Sequence, residues 1–147
     1  MKILTTIHNL DNLKELSLIS DGFLIGNYKY AKALTLSIDN INDVASLIKD
    51  YKKEVYVLFN KMFTDFEIDE LKEYIKTLNL NNIDGFIGAD IGLLKVFKDL
   101  GIIGKFIYNP ETLLTSYFDF NYFSDDNIKG AFSSKEITLD DVLNIGK

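Results

Sequence analysis

The chain has no cysteine, a single histidine and a single proline. Without cysteine there is no disulfide, thiolate nucleophile, zinc–thiolate site or iron–sulfur ligation within these residues. One histidine, His8, excludes a multi-histidine metal site. Excess positive charge is also lacking: the net charge is −6. A nucleic-acid binder held by electrostatics shows a basic face, so the balance argues against that class. No apolar run approaches the ~18 residues that span a bilayer. The opening MKILTTIHNLDNL lacks the long apolar core and small-residue cleavage site of a signal peptide. These absences point to a cytoplasmic protein with no membrane segment and no cofactor held by this chain. No linker, low-complexity tract, charge block, GxGxxG or Walker-type phosphate loop is present.

What is present is an alternation. Short apolar segments, at Lys2–Ile7, Gly22–Ile25, Val55–Phe59, Gly85–Ile87, Lys105–Tyr108 and Gly130–Phe132, are separated by about 20–30 residues. Apolar runs of this length suit strands buried on both faces, as in a parallel sheet, and the spacing leaves room for crossover helices. The intervening segments carry helical periodicity. Ile41, Val44, Ile48 and Tyr51 share one face within Asp39–Tyr51, and Leu71, Tyr74, Ile75 and Leu78 share one within Phe66–Leu78. Thr64 and Glu67 have capping-box spacing, and Thr138 with Asp141 is a weaker version of it. Further helices are expected over Asp11–Ile19, Ile91–Leu100 and Ser116–Ser124, with Gly101 as a C-terminal stop. Asn27–Ser37 fits neither period and is expected to be a loop.

The fold class is therefore α/β: a parallel (β/α) repeat of about six units, forming one domain over residues 1–147 that resembles an incomplete TIM barrel. A closed (β/α)₈ barrel has eight units in roughly 250 residues. Six parallel strands without closure leave two unpaired edges, expected at the first and sixth strands. A homodimer, a rearranged terminal helix or a C-terminal partner segment is expected to cover them.

Ligands of parallel α/β folds meet the loops at the C-terminal strand ends. That rule selects His8 and Asn9, Gly26 to Lys32, Asn60 and Lys61, Gly88 to Asp90, Asn109 to Thr112, and Ser133 to Glu136. Glu111 and Glu136, at neighbouring strand ends, form a candidate catalytic acid/base pair. Asn60, Asp90, Asn109 and Ser134 are candidate ligand-binding residues. Each has a plainer reading. Asn60 is also placed to bond backbone where a strand ends, and Asp90 and Asn109 stand where helix caps belong. His8 at a strand end reads more simply as an exposed loop residue. Tyr117, Phe118, Phe120, Tyr122 and Phe123 either stack on bases or, more simply, pack against the sheet, with Phe120 and Phe123 on the packing face.

The ordered series DGFLIGNYKY, EVYVLFNKMFTDFEIDELKEYIKTL, IDGFIGADIGLLKVFKDLG, FIYNPETLLTS and IKGAFSSKEITLDDV resembles the N-terminal half of the collagenase-like peptidase family, peptidase family U32. The similarity extends over nearly the whole chain as short matches rather than one diagnostic motif. It implies a TIM-type barrel and kinship with peptidases and with tRNA-, rRNA- and ubiquinone-hydroxylation proteins. The matching positions are Gly26, Asn60, Gly88, Asp90, Asn109, Glu111, Ser134 and Glu136. Departures accompany them. The family's Phe-Gly-x-Arg-like stretch after the second strand is here NYKYAKALTLS, whose cationic options are Lys29 and Lys32. A further family asparagine falls at Ser116. The cysteine-bearing segment of the family is expected to follow the sixth unit, beyond ITLDDVLNIGK. Two functions follow as expectations. One is the N-terminal barrel region of a peptidase-like protein acting on peptide or RNA, not catalytic alone. The other is a shortened binding module for a small ligand, RNA or protein partner.

Overall fold

A computed structural model describes residues 2–111, 114–122 and 128–145. Its strands are β1 (Leu4–Thr6), β2 (Gly22–Ile25), β3 (Glu54–Phe59), β4 (Gly85–Gly88), β5 (Phe106–Tyr108) and β6 (Ile128–Ala131). Its helices are α1 (Leu13–Ser17), α2 (Ile41–Asp50), α3 (Asp65–Lys76), α4 (Gly92–Asp99), α5 (Tyr117–Tyr122) and α6 (Leu139–Ile145). The strands form one sheet in sequential order, β1-β2-β3-β4-β5-β6. Every neighbouring pair is parallel. This is the expected α/β arrangement of an incomplete barrel, with β1 and β6 at its edges.

Two side-chain sets alternate along the strands. Val55, Val57 and Phe59 of β3 join Phe23, Phe86 and Phe106 in the core beneath the helices. Into the same layer α2 sends Ile41, Val44, Ala45 and Ile48, and α4 sends Leu93, Val96 and Phe97. Rings run through it in contact: Phe59 stacks on Phe86 at 5.6 Å, Phe86 on Phe97 at 4.9 Å, and Phe97 leans on Phe106 at 5.5 Å. Tyr56 and Ile87 are buried outside that cluster, on the opposite sheet face. Tyr56 pairs in register with Gly85, where an added Cβ would lie 2.9 Å from the tyrosine ring. Gly85 is thus the space the ring occupies.

Local chemistry explains the boundaries. Thr64 and Glu67 form the reciprocal capping box that starts α3. The same exchange starts α6: Asp141 N–H donates to Thr138 Oγ1 at 3.2 Å, and Thr138 N–H donates to the Asp141 carboxylate at 3.0 Å. Gly101 follows α4 with φ of +69°, a left-handed stop.

Three expectations need correcting. The first helix is broken: a 3₁₀ turn at Leu10–Asn12, capped by the Asn9 side chain, precedes a short α1. The sixth strand begins at Ile128, two residues before the expected Gly130. Lys129 hid it by interrupting the apolar run. Its Nζ donates to the Asp84 carbonyl at 2.7 Å and lies over the Tyr56 ring. Finally, α5 does not bury its aromatics. Phe120 packs on the core, whereas Tyr117, Phe118 and Tyr122 are exposed. Phe123 and Thr112 lie outside the described residues. Among the described residues no helix is long and apolar enough to cross a membrane.

Candidate functional site

Parallel strands in sequential order bring all their C-terminal ends to one rim, and the loops there are tied by side chains. The loop of residues 26–40 follows β2. Its Ile38 N–H returns to the Gly26 carbonyl at 2.8 Å, and Thr35 Oγ1 donates to the Ile7 carbonyl at 2.9 Å. Asn60, just past β3, grips the same loop at both ends of its amide. Its Oδ1 accepts from Lys32 N–H at 2.8 Å, and its Nδ2 donates to the Lys32 carbonyl at 3.1 Å. Lys61 adds a third tie, from Nζ to the Lys29 carbonyl at 3.2 Å. Lys61 also pairs with Glu67 at 2.7 Å. That ammonium, followed by the Thr64 N–H and hydroxyl, holds the Glu67 carboxyl down to about 2.

Asp90 is spent in the same manner. One of its oxygens accepts from Phe63 N–H at 3.0 Å and the other from Gly92 N–H at 2.8 Å, linking the β3 and β4 loops. Asn109 N–H donates to the Gly88 carbonyl at 2.8 Å, and Asn109 Oδ1 accepts from Glu111 N–H at 3.3 Å. Ser134 is buried, its Oγ accepting from Glu136 N–H at 3.3 Å and its N–H donating to the Leu114 carbonyl at 2.8 Å. All four candidate ligand-binding residues thus make hydrogen bonds to backbone groups of these loops, Asn60 in the way its plainer reading describes. His8 is exposed.

The two candidate acids stand differently. Glu111 and Glu136 line one cavity of about 490 Å³, with Asn109, Phe132 and Lys135. Glu111 also lines an adjoining cavity of about 480 Å³, with Lys32, Lys61, Tyr108 and Pro110. The backbone at Glu111 is left-handed, with φ of +65°. A non-glycine residue held there carries strain of order 1 kcal/mol or more, a feature that gathers at functional sites. Asn109, by accepting the Glu111 N–H, helps hold that turn. Tyr108 is buried under the second cavity, and burial followed by the Asp90 charge pushes its hydroxyl up. Glu111, Glu136, Asn109 and Ser134 thus line one cavity, Asn60 lines the adjoining one beside Glu111, and Asp90 lines neither.

Lys32 and Lys135 fall within the strand-end stretches that the sequence selects, but neither received a role there, Lys32 being named only as a cationic option in place of a family arginine. Neither side chain has a partner among the described residues, and the same holds for the carboxylates of Glu111 and Glu136. The available signal was composition: all 16 basic residues of the chain are lysine, so any cation at this rim is a lysine. Among the described residues no group of three metal-ligating side chains gathers.

The model of a family described as peptidase family U32 matches residues 25–147. The tRNA hydroxylation protein P2 of Bacillus subtilis (strain 168) is 22% identical over 145 residues, covering 97% of this chain and 47% of that protein. The chain spans about half the length of this curated relative. No solved structure matches it significantly.

Proposed function

This chain belongs to peptidase family U32, and we propose that it forms the N-terminal barrel region of a peptidase-like protein, whose rim binds substrate with Glu111 and Glu136 as acid and base. The observation that carries this reading is the single cavity lined by both carboxylates at neighbouring strand ends. A base must lie within hydrogen-bond reach of the proton it takes, and one cavity puts both groups beside one ligand.

The charges select the ligand class. Carboxylates and the Lys32 and Lys135 ammonium groups, all without a partner among the described residues, suit a short peptide or other zwitterion, which presents both signs. RNA, which the relative's name brings in, carries charge of one sign only, on its phosphates. With a net charge of −6 and two free carboxylates at the rim, the chain favours the peptide.

The isolated chain does not turn substrate over. Acyl transfer needs an activated nucleophile or metal-bound water. Ser134, the serine nearest the two acids in sequence, is buried with its Oγ bonded to backbone. That same fact favours a second reading, a binding module that never was catalytic. Chemical-shift mapping with a set of short zwitterionic peptides, beside a fluorogenic peptide-hydrolysis assay, separates the two readings. Saturable shifts at the β5 and β6 loops are expected, weakened at least fivefold by Glu111→Ala or Glu136→Ala, with no hydrolysis by the isolated chain. Shifts that avoid those loops, or survive both substitutions, overturn the site. Hydrolysis only when the other half of the barrel is supplied selects the peptidase reading over the binding module.

A further inference from the structure

Two cavities adjoin at the rim, and Glu111 lines both. Their charges are opposite. The cavity between the β5 and β6 loops holds the carboxylates of Glu111 and Glu136 and one ammonium, that of Lys135. The adjoining cavity holds the ammonium groups of Lys32 and Lys61 and, among the described residues, one carboxylate, that of Glu111. Lys61 is already engaged, by Glu67 at 2.7 Å and by the Lys29 carbonyl at 3.2 Å. Lys32 has no side-chain partner among the described residues, yet its backbone N–H and carbonyl are both held by the Asn60 amide. Ala33, the next residue, is left-handed with φ of +56°, as Glu111 is at +65°. Strained backbone thus stands beside Lys32 and at Glu111, two residues that line this cavity, and such strain gathers at functional sites. Met62, Ala89, Ile91 and Pro110 give the cavity an apolar wall. Met62 and Ile91 are 67% and 40% exposed, so a ligand that covers them removes apolar area from water.

We infer that this adjoining cavity is a subsite for the C-terminal residue of a peptide, with Lys32 binding the free carboxylate and the apolar wall taking an aliphatic side chain. The peptide then runs past Glu111 into the first cavity, where Glu136 meets its α-ammonium. Charge fixes this direction. The reverse order would set the α-ammonium beside Lys32 and Lys61 and the carboxylate beside Glu111 and Glu136. Topology fixes the length. Asn60 holds Lys32 over the end of β3, and Glu136 follows β6. In sequential strand order these ends are three strand spacings apart, or about 14 Å at about 4.8 Å each. An extended chain spans at most about 3.3–3.6 Å per residue, so about four residues bridge the two charges. A dipeptide, half that length, meets only one of them. This inference rests on the peptide reading of the rim and adds its direction, its length and its end residue.

The test titrates the tetrapeptide Gly-Gly-Gly-Leu into the isotope-labelled 147-residue chain and follows the amide shifts. Its C-terminal amide, the reversed Leu-Gly-Gly-Gly and the dipeptide Gly-Leu are titrated beside it. Saturable shifts are expected at residues 30–33, 60–62 and 109–111, and amidation, reversal and truncation should each weaken binding by about tenfold or more. Lys32→Gln leaves the backbone bonds to Asn60 in place. It should weaken the free acid by the same factor and leave the amide unchanged, and Lys32→Arg should restore the free acid. Equal affinity for the two residue orders overturns the inference. So does an amidation effect that persists in Lys32→Gln, or a dipeptide that binds as tightly as the tetrapeptide. In each of those outcomes, shifts at residues 132–136 that Glu136→Ala weakens leave the rim reading standing. No shift at either cavity overturns both.

Discussion

Removing the Asn60 side chain should loosen the loop after β2 while leaving the sheet intact. Asn60→Ala deletes two hydrogen bonds, from Lys32 N–H at 2.8 Å and to the Lys32 carbonyl at 3.1 Å. A neutral hydrogen bond contributes about 0.5–1.5 kcal/mol net, so the pair accounts for about 1–3 kcal/mol. Lys32 is exposed, and its freed backbone groups meet water rather than a dry interior. The lower part of that range therefore applies, about 1–2 kcal/mol, or about a 5- to 30-fold rise in local opening. The rest of the loop keeps its ties through Thr35 to the Ile7 carbonyl and Ile38 to the Gly26 carbonyl, and Tyr30 stays buried. Amide exchange should accelerate by that factor at residues 31–34 and change less than about twofold across Val55–Phe59. Asn60→Asp, which keeps the acceptor for Lys32 N–H but loses the donor, should give a smaller rise. Unaltered exchange at residues 31–34, or equal acceleration in β3, would refute the assignment of Asn60 as a clamp on this loop.

Other outcomes follow from packing and charge. Gly88→Ala places a Cβ 2.4 Å from Leu93 Cδ1 and 2.9 Å from Phe106 Cε2; overpacking of this kind costs about 1–3 kcal/mol, seen as a lower urea midpoint with an unchanged slope. Phe86→Ala removes a ring held between Phe59 and Phe97 and should cost about 3–5 kcal/mol by the same assay. Tyr74 has a buried hydroxyl without a partner among the described residues, so Tyr74→Phe should raise stability by up to about 1 kcal/mol. Glu67 titrates in the fold near 2, below its unfolded value, so its contribution is complete above the ordinary glutamate range and is lost as pH falls toward about 2. Glu67→Gln keeps the capping bonds and removes the charge facing Lys61. The stability difference between it and the wild type should therefore shrink over that acid window.

The sequence carried the repeat because burial wrote it plainly. Val55, Val57 and Phe59 alternate with Tyr56 and Leu58, and Ile41, Val44 and Ile48 recur at helical steps, since each set must reach one hydrophobic layer. Strand-end logic also placed Glu111 and Glu136 correctly at the rim. It could not distinguish a side chain facing ligand from one facing backbone. Asn60, Asp90 and Ser134 have the polarity of binding residues, and their partners are peptide groups up to 28 positions away along the chain. Such partners depend on how neighbouring loops lie, which no periodicity encodes. Lys129 misled for the opposite reason. Its charge marked an apparent strand end, while its stem crosses the sheet and its ammonium reaches the Asp84 carbonyl. The α5 aromatics misled because aromatic density normally signals a covered face, and here Tyr117, Phe118 and Tyr122 are exposed.

The two ends of the sheet treat charge differently, and that contrast supports the proposed site. At the N-terminal strand ends four lysines have partners, as Lys29 and Lys61 have at the rim. Lys2 meets Glu54, Lys49 meets Asp84 at 2.5 Å, Lys105 donates to the carbonyls of Leu80 and Ile83, and Lys129 donates to the Asp84 carbonyl. Burial alone would raise the Asp84 carboxyl, yet Lys49 and the Val55 N–H together bring it below its ordinary range. Those charges are consumed in closing the floor of the sheet. At the opposite ends Lys32, Lys135, Glu111 and Glu136 have no partner among the described residues, while Asn60, Asp90 and Asn109 hold their loops in place. Holding unpaired charges of both signs around adjoining cavities on braced loops adds nothing evident to folding, and Glu111 is strained besides. An external ligand carrying both signs would complete the pairing at this rim that the floor achieves within the chain.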